Sequence, residues 1–243
     1  MNRGQLTVVQ EWMSSVKDLL FPPFCMICSV PAKGGICNNC LQNIAFIESP
    51  RCPVCGRAMG DSAPGDHLCG SCLQERPLFS TAIAITHYQE AVGNLLHSLK
   101  YQGDMSVLPV LQTIIARNPP VGFTRDERIV PVPLHIKRLR ERGFNQAVLI
   151  AKLFFPKKKS FFQVDSLQRI RHTDPQTGLD GKARRKNLRN AFTVRDGTVF
   201  LGKKVILVDD VYTTGSTANE CSRALLMAGA SEVHVLTLAR VRE

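Results

Sequence analysis

The sequence lacks any long apolar run. Its 243 residues contain no stretch of the ~18 uninterrupted apolar residues that a membrane-spanning helix needs, so no membrane insertion is expected. The first 23 residues also lack the apolar core and small-residue cleavage site of a signal peptide. Their apolar side chains instead follow helical spacing, which predicts an amphipathic helix over residues 1–23. We therefore expect a cytoplasmic protein.

Aromatic and acidic residues are also scarce. Aromatic side chains make up 7% of the chain, which does not favour extensive stacking on nucleic-acid bases. The chain has 20 acidic residues and 31 Lys and Arg, so its net charge is +11. Residues 133–195 hold sixteen basic residues and four acids, so this stretch accounts for the whole excess. Such a cluster indicates a polyphosphate or nucleic-acid partner, and the alternative is a solvated face that serves solubility alone.

Cysteine, in contrast, is abundant and unevenly placed. Eight of the nine cysteines lie before residue 73 and form four C-x-x-C pairs. Without an export signal, metal binding is favoured over a disulfide framework. Redox dithiols are the alternative, but they need an exposed pair with a low pKa, which four tandem pairs fit poorly. The ninth, Cys221, follows the apolar face of a predicted helix and is expected to be a small buried hydrophobe.

The pairs predict two structural Zn²⁺ sites with four sulfur ligands each and no open position. Sequential quartets are the favoured pairing, with an interleaved arrangement as the alternative, and His67 is a possible substitute ligand. The metal ligands are expected to be Cys25, Cys28, Cys37 and Cys40 in one site and Cys52, Cys55, Cys69 and Cys72 in the other. Replacing Cys52 with serine should unfold the second unit and leave the loop at Asp209–Thr217 able to bind its ligand.

Three regions follow from composition and periodicity. Residues 1–23 form the leading helix, residues 24–76 the cysteine-rich zinc module, and residues 77–243 an α/β domain. In the last region, predicted strands alternate with predicted helices, which indicates a mainly parallel sheet. The strands are expected near residues 82–86, 128–132, 205–208 and 233–238, and helices over residues 92–100 and 143–155.

The strongest motif follows the apolar strand Val205–Val208. Asp209 and Asp210 come next, and then a loop of Val211, Tyr212, Thr213, Thr214, Gly215, Ser216 and Thr217 leads into a helix. Backbone N–H groups of such a loop and helix N-terminus form an anion cradle. Adjacent carboxylates suit two ribose hydroxyls or a Mg²⁺ ion. The loop is not a Walker motif, because the G-K-[ST] ending is absent.

This segment resembles the phosphoribosyl pyrophosphate (PRPP) motif of type I phosphoribosyltransferases. The resemblance implies that Asp209 and Asp210 hold the ribose hydroxyls, that residues 211–217 hold the 5′-phosphate, and that Mg²⁺ accompanies PRPP or a related ribose phosphate. Residues 131–146 fall at the family's pyrophosphate-binding loop and residues 171–192 at its mobile hood. The arginines that could stabilise the leaving pyrophosphate are Arg138, Arg140, Arg142, Arg171 and Arg185.

Together with the cysteine module and residues 99–104, the whole chain resembles the ComF family of competence-associated proteins, which includes the GntX-like group. That likeness implies a role in natural transformation, in which the protein handles incoming single-stranded DNA in the cytosol beside DNA-uptake proteins such as a helicase. DNA is expected on the basic stretch, at Lys137, Arg138, Arg184, Arg185, Lys186 and Arg189. The alternatives are a metabolic phosphoribosyltransferase with an unidentified acceptor and a non-catalytic PRPP sensor. Transferase turnover is left open, because no acceptor site is evident.

Overall fold

The computed structural model describes residues 23–60, 62–123, 126–171 and 188–242. The predicted leading helix therefore lies outside the described residues, apart from Pro23. In the described ranges, no helix has both the length and the apolar character to cross a membrane. The elements in chain order are α1 (Asn38–Gln42), α2 (Gly70–Gln74), β1 (Thr81–His87), α3 (Glu90–His97), α4 (Val107–Arg117), β2 (Arg128–Pro131), α5 (Ile136–Arg142), α6 (Gln146–Phe154), β3 (Leu167–Arg169), β4 (Phe192–Val194), β5 (Lys204–Tyr212), α7 (Ser216–Met227) and β6 (Glu232–Arg240).

Four of the strands form a parallel sheet in the order β1-β6-β5-β2. One row across it pairs Ala82 with Val235, Val235 with Leu207, and Leu207 with Val130. All four side chains are buried, as expected where helices cover both faces of a parallel sheet. The same register brings the carboxyl ends of the four strands to one edge. Strands β3 and β4 form a separate antiparallel pair.

Alternation along β5 divides the apolar residues into two cores. Ile206 and Val208 point into the first core, with the inner faces of α3, α4 and α6. Val205 and Leu207 point into the second core, with α7 and the β3–β4 pair. The period of two therefore places each residue of the apolar run on one face or the other. Mainly parallel α/β architecture, the predicted fold class, is confirmed.

The cysteine-rich segment covers the edge strand β1. The backbone N–H of Ile47 donates to the carbonyl of Ile85 (3.0 Å), that of His87 donates to Ala45 (2.8 Å), and that of Ala82 donates to Val54 (2.7 Å). These bonds satisfy backbone groups that an uncovered edge would leave exposed. The cysteines also enter the two cores, the first quartet beside α4 and the second beside β1 and α7. The zinc module and the sheet thus share their apolar packing.

Several element boundaries differ from those predicted. Strand β5 runs past the apolar run to Tyr212, so the two aspartates lie within the strand. Helix α3 ends at His97 and continues as a π-helical turn over Ser98–Gln102. The helix predicted from residue 143 begins at Gln146, because Asn145 caps it by accepting from the N–H of Ala147 (2.9 Å). Helices α4 and α5 were not predicted.

Candidate functional site

Each cysteine quartet gathers its four sulfur atoms into one cluster. Within each sequential quartet the Sγ atoms all lie within 4.8 Å of one another. The Sγ atoms of Cys28 and Cys37 are 3.7 Å apart, and those of Cys55 and Cys69 are 3.6 Å apart. A tetrahedron of ~2.3 Å zinc–sulfur bonds has edges of about 3.8 Å, so both clusters fit Zn²⁺. Sequential pairing is confirmed, and His67 is in neither cluster.

One thiol of each quartet, Cys25 or Cys52, has a lowered pKa, whereas the pKa values of Cys40, Cys55 and Cys72 in the same clusters are raised. Burial raises the pKa of Cys25, but hydrogen bonds from the backbone, first among them that of Cys37, outweigh it and lower the pKa to about 6. The same balance, led by the backbone of Cys55, lowers the pKa of Cys52 to about 6. Thiolates are the form that binds zinc. In contrast, burial raises the pKa of Cys221, which is fully buried in the second core, as predicted.

The motif predicted to bind phosphate forms a tight turn between β5 and α7. Gly215 adopts a left-handed backbone (φ 75°), and a Cβ there would collide with the Tyr212 hydroxyl, so glycine is required. The hydroxyls of Thr214 and Ser216 lie 2.9 Å apart. Ser216 opens α7, a helix of 12 residues whose N-terminal N–H groups face the turn. A cavity of about 30 Å³ is lined by Asp209, Val211, Tyr212, Thr213, Gly215 and Thr217, together with Val132, Leu207, Ala218 and two residues of β6.

Lys100 forms an ion pair with Asp210 at the head of this turn. The side chains are largely buried, at 21% exposed for Lys100 and 6% for Asp210. Asp209 neighbours the pair and accepts a hydrogen bond from the backbone N–H of Asp210 (2.9 Å). Two carboxylates and one ammonium therefore share a nearly dry site.

The pKa values of the two aspartates shift in opposite directions, because Lys100 pairs with only one of them. Burial raises the pKa of Asp209, and the adjacent charge of Asp210 raises it further. At Asp210 burial acts in the same direction, but the charge of Lys100 outweighs it and lowers the pKa. Asp209 is thus the carboxyl that most needs an added cation or hydrogen-bond donors. The donor set fits Mg²⁺, a hard cation that prefers oxygen ligands.

The segment predicted to form a pyrophosphate-binding loop contacts the π-helical turn that carries Lys100. Arg142, at the end of α5, lies with its guanidinium 5.4 Å from the centre of the Tyr101 ring, and its Nη1 donates to Gln146 Oε1 (2.6 Å). Tyr101 follows Lys100 in the π-helical turn. The structure therefore places Arg142 beside the turn that carries Lys100, which in turn pairs with Asp210.

Two of the residues at this site were not predicted. Lys100 lay in a segment noted only for its family resemblance, and the π-helical turn that aims it is a feature that recurs at functional sites. Arg169, at the end of β3, sits over the Phe192 ring (5.6 Å). Burial lowers its pKa, the nearby Arg138 adds to that effect, and Asp209 opposes it. Their common signal is burial of a cation, which only the folded chain reveals.

The predicted basic residues occupy different places. Lys137, Arg138, Arg140 and Arg142 lie on α5, a helix with no buried residue. Arg171 donates to the backbone carbonyl of Arg189 (2.8 Å). Arg184, Arg185 and Lys186 lie outside the described residues, so their predicted roles stay predictions.

A buried arginine links the second zinc site to the turn. Arg240, 4% exposed at the end of β6, donates from Nη1 to the backbone carbonyl of Cys55 (2.7 Å). Its guanidinium lies 4.3 Å from the centre of the Tyr212 ring. The Tyr212 carbonyl in turn accepts from the N–H of Val241 (3.0 Å). This contact argues against the independence of the second zinc unit that the sequence suggested.

Comparison with known families defines the class of protein. The double zinc ribbon domain matches residues 16–73, and the phosphoribosyl transferase domain matches residues 146–243. The chain is therefore a double zinc ribbon protein with a phosphoribosyltransferase domain, and each ribbon offers four cysteines as ligands for one structural Zn²⁺.

Similar proteins identify the family. Competence protein F of Haemophilus influenzae is 35% identical over 219 residues, 86% of this chain and 92% of its own. DNA utilization protein YhgH of Escherichia coli O157:H7 is 34% identical over 232 residues, 91% of this chain and 99% of its own. Competence protein ComFC of Bacillus subtilis is 27% identical and covers 84% of each chain. The chain belongs to the ComF family of competence-associated proteins.

Among solved structures, the allosteric regulatory enzyme of purine biosynthesis overlaps 52% of this chain and 24% of its own. The TM-score is 0.32 and the identity 22%, too weak an overlap to extend the comparison.

Proposed function

We propose that this protein binds PRPP together with Mg²⁺ at residues 209–217. The observation that carries the proposal is the convergence of Lys100 and the two aspartates beside an anion cradle at the N-terminus of α7. Asp209 and Asp210 accept hydrogen bonds from the ribose hydroxyls, and the turn around Gly215 binds the 5′-phosphate. Mg²⁺, when bound, neutralises charge on the pyrophosphate.

Other side chains of the site suit the departure of pyrophosphate. Arg142 stands beside the Lys100 turn, and the exposed Arg140 lies on the same helix. Positively charged groups fixed in this way stabilise negative charge as it develops on a leaving group. Whether a nucleophile is transferred onto the ribose depends on an acceptor. A metabolic phosphoribosyltransferase therefore stays the alternative within the same site, and a PRPP sensor without turnover stays a second alternative.

Isothermal titration calorimetry with PRPP and Mg²⁺ tests the binding step. The double variant D209N/D210N should bind PRPP more weakly than the wild type. Each charge-assisted hydrogen bond that it loses contributes roughly 1.5–3 kcal/mol, which is a factor of at least about ten in affinity per bond. D165N is the matched control, because Asp165 is exposed and away from the turn. Absence of PRPP binding by the folded wild-type protein would refute the proposal. Pyrophosphate release in the presence of nucleobases then tests for turnover.

We further propose that the protein handles single-stranded DNA in the cytosol during DNA uptake, beside partners such as a helicase. Two observations favour this role. The relatives carry the names competence protein and DNA utilization protein. Helix α5 presents a row of basic side chains with no buried member, and it ends at Arg142 beside the proposed PRPP site. Contacts should be made mainly to the phosphate backbone.

A salt series of gel shifts tests this second role. The log–log slope of affinity against salt should be about −0.7 per phosphate contacted. K137A/R140A should make the slope shallower by about 1.4, and R184A/R185A/K186A by roughly two, if every replaced side chain contacts phosphate. R195A/K203A is the control, because both side chains are exposed and lie outside α5 and the 184–186 cluster. Slopes unchanged in all variants would exclude this surface.

A further inference from the structure

A second cavity opens at the same edge of the sheet, between the second zinc ribbon and strands β1 and β6. Its volume is about 510 Å³. One wall is the ribbon segment at residues 46–50 and 57–60, and the other is formed by His87 and Arg240–Arg242. Crevices beyond the carboxyl ends of parallel strands are where open α/β sheets bind ligands. The turn at residues 209–217 contributes no lining residue.

The lining of this cavity is strongly cationic. The lining includes three arginines, Arg57, Arg240 and Arg242, and its single acid is Glu48. Glu48 and Arg242 are exposed at the mouth, whereas Arg240 is buried in the floor. Guanidinium groups bind phosphate oxygens with paired hydrogen bonds, and they are weakly hydrated compared with ammonium groups. The positive charge of the lining residues favours an anionic ligand.

His87 is a further polar residue of this lining. Within the described part of the chain, the Nδ1 atom of His87 is buried and has no hydrogen-bond partner. Burial lowers the pKa of His87, and the charges of Arg242 and Arg240 lower it further. Because the Nδ1 atom has almost no accessible surface, a ligand cannot reach it, and His87 lines the cavity with the rest of its ring.

The volume of the cavity and its remaining lining residues limit the class of ligand that it can bind. Cavities of roughly 300–1,000 Å³ accept organic molecules larger than a lone phosphate ion. Phe46, Pro50 and Met59 provide an apolar side. That side is held in place, since Met59 donates its N–H to Pro50 (2.8 Å) and Asp66 accepts from the N–H of Arg51 (2.8 Å).

We propose that this ribbon–sheet cavity binds a nucleotide phosphate, with the phosphate at Arg57, Arg242 and His87 and the ring against Phe46 and Met59. A free mononucleotide and the 5′-terminal phosphate of a DNA strand share this chemistry. The site is separate from the PRPP turn, but Arg240, which also contacts Tyr212, lies between the two.

Calorimetry on the full zinc-loaded chain tests this site with thymidine monophosphate, thymidine, and a short oligothymidylate with and without a 5′-phosphate. Thymidine monophosphate or the phosphorylated strand should bind, and the partners that lack the terminal phosphate should bind at least tenfold more weakly. R242Q and H87F should each weaken binding roughly tenfold. R195Q and D210N should leave it unchanged.

Three results would overturn the assignment. The first is that neither phosphorylated probe binds. The second is that thymidine binds as tightly as thymidine monophosphate. The third is that R242Q and H87F both keep the wild-type affinity with their zinc content intact. Loss of binding in D210N would place the nucleotide in the PRPP turn instead and would equally refute the second site. Failure of PRPP to bind leaves these readouts unaffected, so the two proposals fail independently.

Discussion

Replacing Lys100 with methionine removes the cation from the aspartate pair while preserving most of the side-chain volume. Asp210 is 6% exposed and would then lie buried without its counter-ion. Loss of one partner of a buried ion pair costs about 3–5 kcal/mol. Since the Lys100 side chain is 21% exposed, solvent screening reduces the expected loss in unfolding free energy to about 2–3 kcal/mol.

Thermal unfolding at neutral pH measures this loss. At about 2–4 °C per kcal/mol for a chain of this size, the melting temperature of K100M should fall by about 4–12 °C. The variant K100M/D210N should recover part of that loss, because it removes the buried charge as well. The double-mutant cycle should give a coupling of about 1–3 kcal/mol.

Zinc content must be equal in all four proteins of the cycle, so that the change is not a loss of metal. K204M is a matched control, since Lys204 is 52% exposed and pairs with the exposed Glu232. An unchanged melting temperature in K100M, or additive effects in the double variant, would refute the reasoning that a buried pair organises this site.

Three further predictions concern the carboxyl pair and the metal. The folded-state pKa of Asp209 is raised, so the stability that this group contributes is full below its unfolded pKa of about 4 and is lost as the pH rises through the folded value. D209N should therefore melt higher than the wild type at pH 7 without ligand, with a gap that closes toward pH 4, and a constant gap would contradict this. Elemental analysis of protein purified without chelator should find two Zn²⁺ per chain, and one or none would contradict the two quartets. C52S should lose one zinc and also weaken PRPP binding, because Arg240 joins the Cys55 carbonyl to Tyr212, whereas C28S should lose one zinc with PRPP affinity retained. Calorimetry showing equal affinities in both cysteine variants would exclude coupling through Arg240.

Local chemistry allowed much of this protein to be predicted from its sequence. A C-x-x-C pair positions two thiolates within one turn, and the sequence favoured the sequential quartets that the structure brings together. The run from Val205 to Ser216 specifies a strand, a turn and a helix start through adjacent residues alone. Such patterns depend only on residues that are neighbours in the chain, so they can be recognised without knowledge of the fold.

Contacts between distant segments were decided only by the tertiary structure. Lys100 meets Asp210 across 110 residues, and Arg240 meets Cys55 across 185. Neither pairing leaves a periodic signal, because each depends on which strands are neighbours and on where their carboxyl ends meet. The order β1-β6-β5-β2 places the end of β6 between the second zinc ribbon and the turn at residues 209–217. Burial then gives these cations their effect, since a charge removed from water interacts strongly with the few groups around it.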